Sequence, residues 1–159
     1  MFQLFLFLHV MGAIVVFGPT FVFPLIASQA QKSPQNAPFA AALSELIERR
    51  IVIPGAIVQG ITGVALIFIA GRDLTSSANR WLGIGIVLYL IAIGFAIFVQ
   101  AKNAEKMVHL TSGGPPPVGA PAGPPPEIVA TGKKLQQGGM FLALLIILIV
   151  ILMVTKPTF

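Results

Sequence analysis

The chain has 159 residues, of which 56% are hydrophobic and 9% are charged, with a formal net charge of +5 and no cysteine. A mean hydropathy of +0.93 excludes a soluble globular domain and indicates a single integral membrane domain over residues 1–159. The absence of cysteine excludes disulfides and thiolate metal sites within the chain. The basic residues lie beside apolar runs, so we interpret them as setting the orientation of the chain in the membrane and not as binding nucleic acid.

Four apolar segments are each long enough to cross a hydrocarbon core of about 30 Å, which requires ~20 helical residues. They cover residues 2–27, 51–70, 81–100 and 135–155. We expect the first to be an uncleaved span, since no basic residue precedes it and its apolar run is too long for a signal peptide. The predicted fold class is an all-α integral membrane protein with four transmembrane helices in an up-down bundle.

Positive charge is unequal on the two sides of the predicted bundle. Four spans place the first and third loops on one side, and these carry seven of the ten basic residues: Lys32, Arg49, Arg50, Lys102, Lys106, Lys133 and Lys134. Arg72, Arg80 and Lys156 belong to the opposite side. The positive-inside rule therefore predicts a multi-pass protein with these two loops in the cytoplasm and both termini outside.

The first loop contains an amphipathic pattern over about residues 37–50. Apolar side chains recur at helical spacing in this segment, at Phe39, Ala42, Leu43, Leu46 and Ile47. We expect a short interfacial helix, with Asn36 as its cap, Pro38 in its first turn and an ion pair between Glu45 and Arg49. The helix serves as a lead-in to the second span, or alternatively as a surface for a partner.

The other two loops differ in length and composition. Residues 112–126 read SGGPPPVGAPAGPPP, which is typical of a semi-extended or disordered linker. Alternatively, this Pro-rich segment could bind an aromatic groove on a partner protein. The connection between the second and third spans is short, reading GRDLTSSANR, and predicts a tight antiparallel hairpin.

His9 is the only side chain within the four apolar runs that can take up a proton near neutral pH. Counting ~1.5 Å per residue places His9, Thr62 and Tyr89 near one level of the membrane, with Gln59 about one turn away from Thr62. Small and polar residues form stripes at helical spacing around them. These are His9, Gly12, Ala13, Val16 and Thr20 on the first span, Gly55, Gln59, Thr62 and Gly63 on the second, and Gly85, Tyr89, Ala92 and Ala96 on the third.

Several roles for His9 are consistent with this setting. It could form a structural hydrogen bond, contact a haem or quinone, bind a metal or relay protons. Gln59, Thr62 and Tyr89 are the candidate neighbours of a bound cofactor. The only other histidine, His109, follows the third span on the opposite side of the membrane, so the two cannot ligate one haem within a monomer. No cluster of metal ligands and no acidic relay group accompany His9, and we predict no catalytic residue and no metal site.

Several short motifs resemble a bacterial four-helix family of the inner membrane, the predicted integral membrane proteins grouped as domain of unknown function 2269. These motifs are L-H-V-x-G-A from Leu8 to Ala13, E-R-R-x(3)-P-x(7)-T-G from Glu48 to Gly63, the Trp81 and Leu82 pair, and L-M-V-x-K-P from Leu152 to Pro157. The resemblance implies a bacterial inner-membrane protein and carries no activity with it.

A more distant similarity is to the bacterial four-helix membrane protoporphyrinogen oxidases. These bind haem b through a histidine early in the first span, which implies His9 as the corresponding ligand. They also place a functional lysine on the third span, where this chain has only Tyr89 with a polar head group. The resemblance therefore carries over haem b binding and not the oxidase activity.

The sequence favours a non-catalytic accessory or scaffold subunit that packs against other membrane-protein subunits or against itself, in an assembly such as an electron-transfer complex. The alternative is a haem b-binding membrane redox protein or enzyme with His9 as an axial ligand.

Overall fold

The computed structural model describes residues 1–113 and 123–158, and within them every regular element is helical. Six α-helices follow one another: α1 (Phe2–Lys32), α2 (Ala37–Ile47), α3 (Ile53–Ile69), α4 (Arg80–Phe95), α5 (Ala101–Thr111) and α6 (Pro126–Thr155). They form four continuous stretches that are long and apolar enough to cross a membrane, Phe2–Lys32, Ala37–Ile69, Ser77–Thr111 and Pro126–Thr155. The predicted all-α fold with four membrane-spanning helices is confirmed.

Each of these stretches is longer than a bilayer requires. The shortest, α6, has 30 residues and so measures about 45 Å, against a hydrocarbon core of about 30 Å. The helices therefore extend out of the hydrocarbon at the end of the bundle that carries Lys32, α2, α5 and the start of α6, which we call the basic end. The α1 helix continues through Pro19 and Pro24 without a break.

The amphipathic segment of the first loop is helical and leads directly into the second span. A π-helical turn, Glu48–Val52, joins α2 to α3, so that the two form one stretch of 33 residues. The predicted ion pair between Arg49 and Glu45 is present, and Pro38 lies in the first turn of α2. Asn36 occupies the N-cap position of this helix, as predicted, but its side chain forms no capping hydrogen bond. A three-residue 3-10 turn, Pro34–Asn36, leads directly into this helix.

The second span ends in a defined turn. Gly71 has a positive φ of 59°, its amide donates to the Phe68 carbonyl, and the Arg72 amide donates to the Ile67 carbonyl. These are the two hydrogen bonds of a Schellman motif, which favours glycine at this position because a side chain would be strained there. Asp73 then accepts hydrogen bonds from the amide and hydroxyl of Thr75 before α4 begins.

The helices pack as neighbours in the order α3, α1, α6, α4. The most extensive contact is between α1 and α3, followed by α4 with α6, and α1 also contacts α6. The α3 and α4 helices have few close approaches within the membrane, so the expectation of a tight hairpin is corrected. The connection between them, residues 70–79, has ten residues and includes a 3-10 turn, Ser77–Asn79.

Charged side chains link the helices where they extend at the basic end. Arg49 pairs with Glu45 on its own helix and with Glu105 on α5, while Lys106 on α5 pairs with Glu127 on α6. A second π-helical turn, Ala96–Gln100, joins α4 to α5. The Pro-rich linker predicted over residues 112–126 falls mainly outside the described residues.

Candidate functional site

His9 is held by a short hydrogen-bond chain between α1 and α3. Its Nδ1 lies 2.9 Å from Thr62 Oγ1, and Thr62 Oγ1 donates to the Gln59 carbonyl at 3.0 Å. A hydroxyl group has one proton, so when Thr62 donates to Gln59 its oxygen accepts from Nδ1 of His9. The tautomer that matches this arrangement has its proton on Nδ1 and its lone pair on Nε2.

The predicted stripes of α1 and α3 pack directly against each other, as expected. The His9 ring lies over Gly63, the Gln59 side chain lies against Gly12, and Val16 fills the space beside Gly55. A Cβ atom at Gly63 would lie 3.1 Å from His9 Cε1, and one at Gly12 would lie 2.5 Å from Gln59 Oε1. Glycine at these positions allows the two helices to approach closely enough for His9 and Thr62 to bond.

Tyr89 lies near this cluster but is not part of it. Its hydroxyl group donates to the Ala56 carbonyl of α3, and its ring packs against Gly60. Gly60 and Ala56 face α4, whereas Gln59 and Thr62 face α1, since neighbouring residues on a helix point about 100° apart. Thus His9, Thr62 and Gln59 come together, while Tyr89 connects α3 to α4 separately.

Gln100 forms a polar contact between helices that the sequence did not lead us to predict. Its Nε2 donates to the Leu135 carbonyl of α6 at 3.1 Å, and its side chain is buried against Gly138. The signal available in the sequence was a glutamine at the end of an apolar run opposite a Gly-Gly pair. Glu48 is a second unexpected residue, because it is only 6% exposed although it lies among charged neighbours.

Gln59 and Gln100 share one arrangement. Each packs its amide against a glycine of the neighbouring helix, Gly12 or Gly138. In each, the side-chain oxygen is buried and has no hydrogen-bond partner within the described part of the chain. A buried oxygen without a partner is costly in an apolar interior.

Each pair of consecutive spans is thus joined by one polar side chain. His9 joins α1 to α3, Tyr89 joins α3 to α4, and Gln100 joins the third span to α6. Across residues 1–113 and 123–158 no group of three or more His, Cys, Asp or Glu residues could hold a metal ion. His109 lies on α5 at the basic end, in a different part of the bundle from His9.

A family model described as a predicted integral membrane protein, DUF2269, matches residues 3–157. Since this match covers nearly the whole chain, the protein belongs to the DUF2269 family of integral membrane proteins. No curated protein and no solved structure matches the chain.

Proposed function

We propose that this DUF2269 protein is a small, non-catalytic accessory or scaffold subunit that packs against other membrane-protein subunits. The observation that carries this proposal is the use of the polar side chains inside the spans. His9, Tyr89 and Gln100 each contact a neighbouring helix of the same chain. Polar groups committed to internal packing stabilise a rigid helical unit and do not converge on a place where a substrate could react.

The outer surface of the bundle supports the same proposal. No large side chain in the described residues is completely buried, and large apolar groups such as Phe68 and Phe98 are more than two-thirds exposed. Because so few large side chains are buried inside the bundle, most of its apolar surface is available to lipid or to neighbouring transmembrane helices. An electron-transfer complex is the first assembly to examine, because the position of His9 early in the first span resembles that of the haem ligand in membrane protoporphyrinogen oxidases.

Extraction of the tagged protein from its native membrane into polymer-bounded lipid discs tests the assembly directly. We expect particles whose protein mass exceeds the 16.8 kDa chain by a fixed amount, with the same companion chains in each preparation. His9→Ala should leave this assembly largely intact, because the helices retain their other contacts. Discs that hold a single copy of the chain and no companion would contradict the proposal.

Haem b binding at His9 is the second candidate, and one observation favours it. The hydrogen bond between Nδ1 and Thr62 holds the ring, and in the tautomer that donates to Thr62 the Nε2 lone pair is available to another partner. Histidines that ligate metals commonly use this arrangement, with the second nitrogen donating to a nearby oxygen. In this candidate function Gln59 and Thr62 would lie beside the cofactor, whereas Tyr89 bonds Ala56 on another face of α3. A second axial ligand would come from outside the monomer.

An absorbance spectrum of protein expressed with adequate haem separates the two candidates. The accessory-subunit proposal predicts a colourless protein. A Soret band that His9→Ala abolishes, and that Thr62→Val shifts or weakens, would instead establish haem b binding at His9. A Soret band that persists in His9→Ala would exclude His9 as the ligand.

A further inference from the structure

A lateral groove runs between the third and fourth spans at the basic end of the bundle. It has a volume of about 750 Å³ and is lined mainly by apolar and aromatic side chains, with four polar ones at one end. The apolar lining includes Ile91, Phe95, Phe98, Val99 and Phe141, and the polar lining comprises Lys102, Asn103, Lys134 and Gln137. Phe95 and Phe141 meet edge to face across it, with ring centroids 4.9 Å apart.

The groove carries positive charge that no protein group balances. Lys102 and Lys134 are exposed, and neither forms an ion pair within the described residues. No carboxylate lines the groove. The neighbouring acidic residues are paired elsewhere, Glu45 and Glu105 with Arg49 and Glu127 with Lys106.

The length of the groove matches one leaflet of a bilayer. From Lys102 to Ile91 the third span rises over eleven residues, or about 16 Å. Half of a hydrocarbon core measures about 15 Å. The two lysines therefore lie at the level of the lipid head groups, and the apolar lining extends to about the middle of the membrane.

We propose that this groove binds one anionic phospholipid from the leaflet at the basic end. Lys102 and Lys134 contact the phosphate, Asn103 and Gln137 offer amide groups to the head group, and an acyl chain lies along Phe98 and Ile91. Basic pockets between transmembrane helices recognise acidic lipid head groups by the same charge complementarity. The lipid also bridges the third span and α6 beside the Gln100 contact.

The test uses native mass spectrometry of the full chain in a non-ionic detergent, titrated with phosphatidylglycerol or phosphatidylcholine. We expect phosphatidylglycerol to bind more tightly, and the double substitution Lys102→Gln and Lys134→Gln to weaken its binding about 30-fold, which corresponds to roughly 1 kcal/mol per lysine. The matched control, Lys32→Gln with Lys133→Gln, removes the same charge from the same end outside the groove and should weaken binding less than about threefold. Soluble glycerol phosphate should not compete, because it lacks the acyl chain.

Three results would overturn the proposal. These are equal binding of the two lipids, an equal loss in the groove and control variants, or competition by glycerol phosphate, which would indicate a phosphate site without a lipid. Burial of the groove in a dimer that excludes phosphatidylglycerol would instead assign it to a second copy of the chain. If the double variant fails to fold, each single lysine substitution should weaken binding about fivefold.

Discussion

Thr62 illustrates how single residues operate inside this bundle. Its hydroxyl group is hydrogen-bonded both to the Gln59 carbonyl on its own helix and to the His9 ring on α1. One small side chain therefore has two hydrogen-bond partners and orients a histidine. Tyr89 and Gln100 also reach a backbone carbonyl of another helix, which is an acceptor present at every position of a span. Such contacts need only one side chain each, and they tolerate variation in the sequence of the partner helix.

Asp73 provides a prediction at the residue scale. Hydrogen bonds from the hydroxyl and amide of Thr75 stabilise its charged form and lower its pKa below the ordinary value of 3.8. The contribution of Asp73 to stability is therefore present above its unfolded pKa and is lost as the pH falls through its folded pKa. We expect an NMR titration to give a pKa below 3.8 for Asp73. Thr75→Val should raise this pKa towards the ordinary value, and an unchanged pKa would contradict the assignment.

Sequence patterns predicted some residue contacts and not others, for physical reasons. Helical rise predicted that His9 and Thr62 lie near one level, and the stripes placed each on a face of small residues, which is where the two side chains meet. Tyr89 was expected at the same level, but depth does not specify which face of α3 its long side chain reaches. Gln100 and Glu48 were missed because their burial depends on how the helices pack beyond the span ends.

At the scale of elements, the contact between α1 and α3 is set by small residues. Gly55, Gly12 and Gly63 each face a larger side chain on α1 or admit one from α3. The stripes predicted these contacts, since helical periodicity fixes which residues share a face. The sparse contact between α3 and α4 could not be predicted, because the length of a turn limits the separation of two helices without setting it.

Substitution of Gly55 by alanine tests the close approach of α1 and α3. The added Cβ would collide with Val16 Cγ2, and Val16 is buried and stiff about χ1. We expect Gly55→Ala to lower the free energy of unfolding by about 1–3 kcal/mol. Gly83→Ala is the matched control, since nothing lies within 4 Å of a Cβ there, and it should be neutral or stabilising by up to about 1 kcal/mol. Equal effects in both variants, measured by chemical unfolding in detergent micelles, would refute this account of the interface.

At the scale of the whole molecule, the basic residues and the charged contacts between helices lie at the same end of the bundle. The basic end carries seven of the ten basic residues together with the three ion pairs and the proposed lipid groove. We propose that this end faces the cytoplasm and that both termini lie outside, in agreement with the positive-inside rule. The anionic lipids of a cytoplasmic leaflet would reinforce that orientation.

Single cysteines can report this orientation without interference, since the chain has none of its own. We expect Ser76→Cys, in the turn before α4, to react with a membrane-impermeant maleimide in intact cells. Ser33→Cys and Ser112→Cys, at the basic end, should react only after the membrane is permeabilised. The opposite pattern would show that the bundle has the reverse orientation.

The central claim is that the polar side chains of the spans hold the chain's own helices together. A double-mutant cycle of His9→Leu and Thr62→Val, read from the free energy of unfolding in bilayers, tests it most directly. We predict a coupling energy of about 0.6 kcal/mol and at most ~1.7 kcal/mol, the average and the maximum for hydrogen bonds between transmembrane helices. Thr62→Val with Tyr89→Phe is the control pair and should be additive, because Tyr89 bonds Ala56 instead. A coupling energy of zero between His9 and Thr62 would contradict the claim.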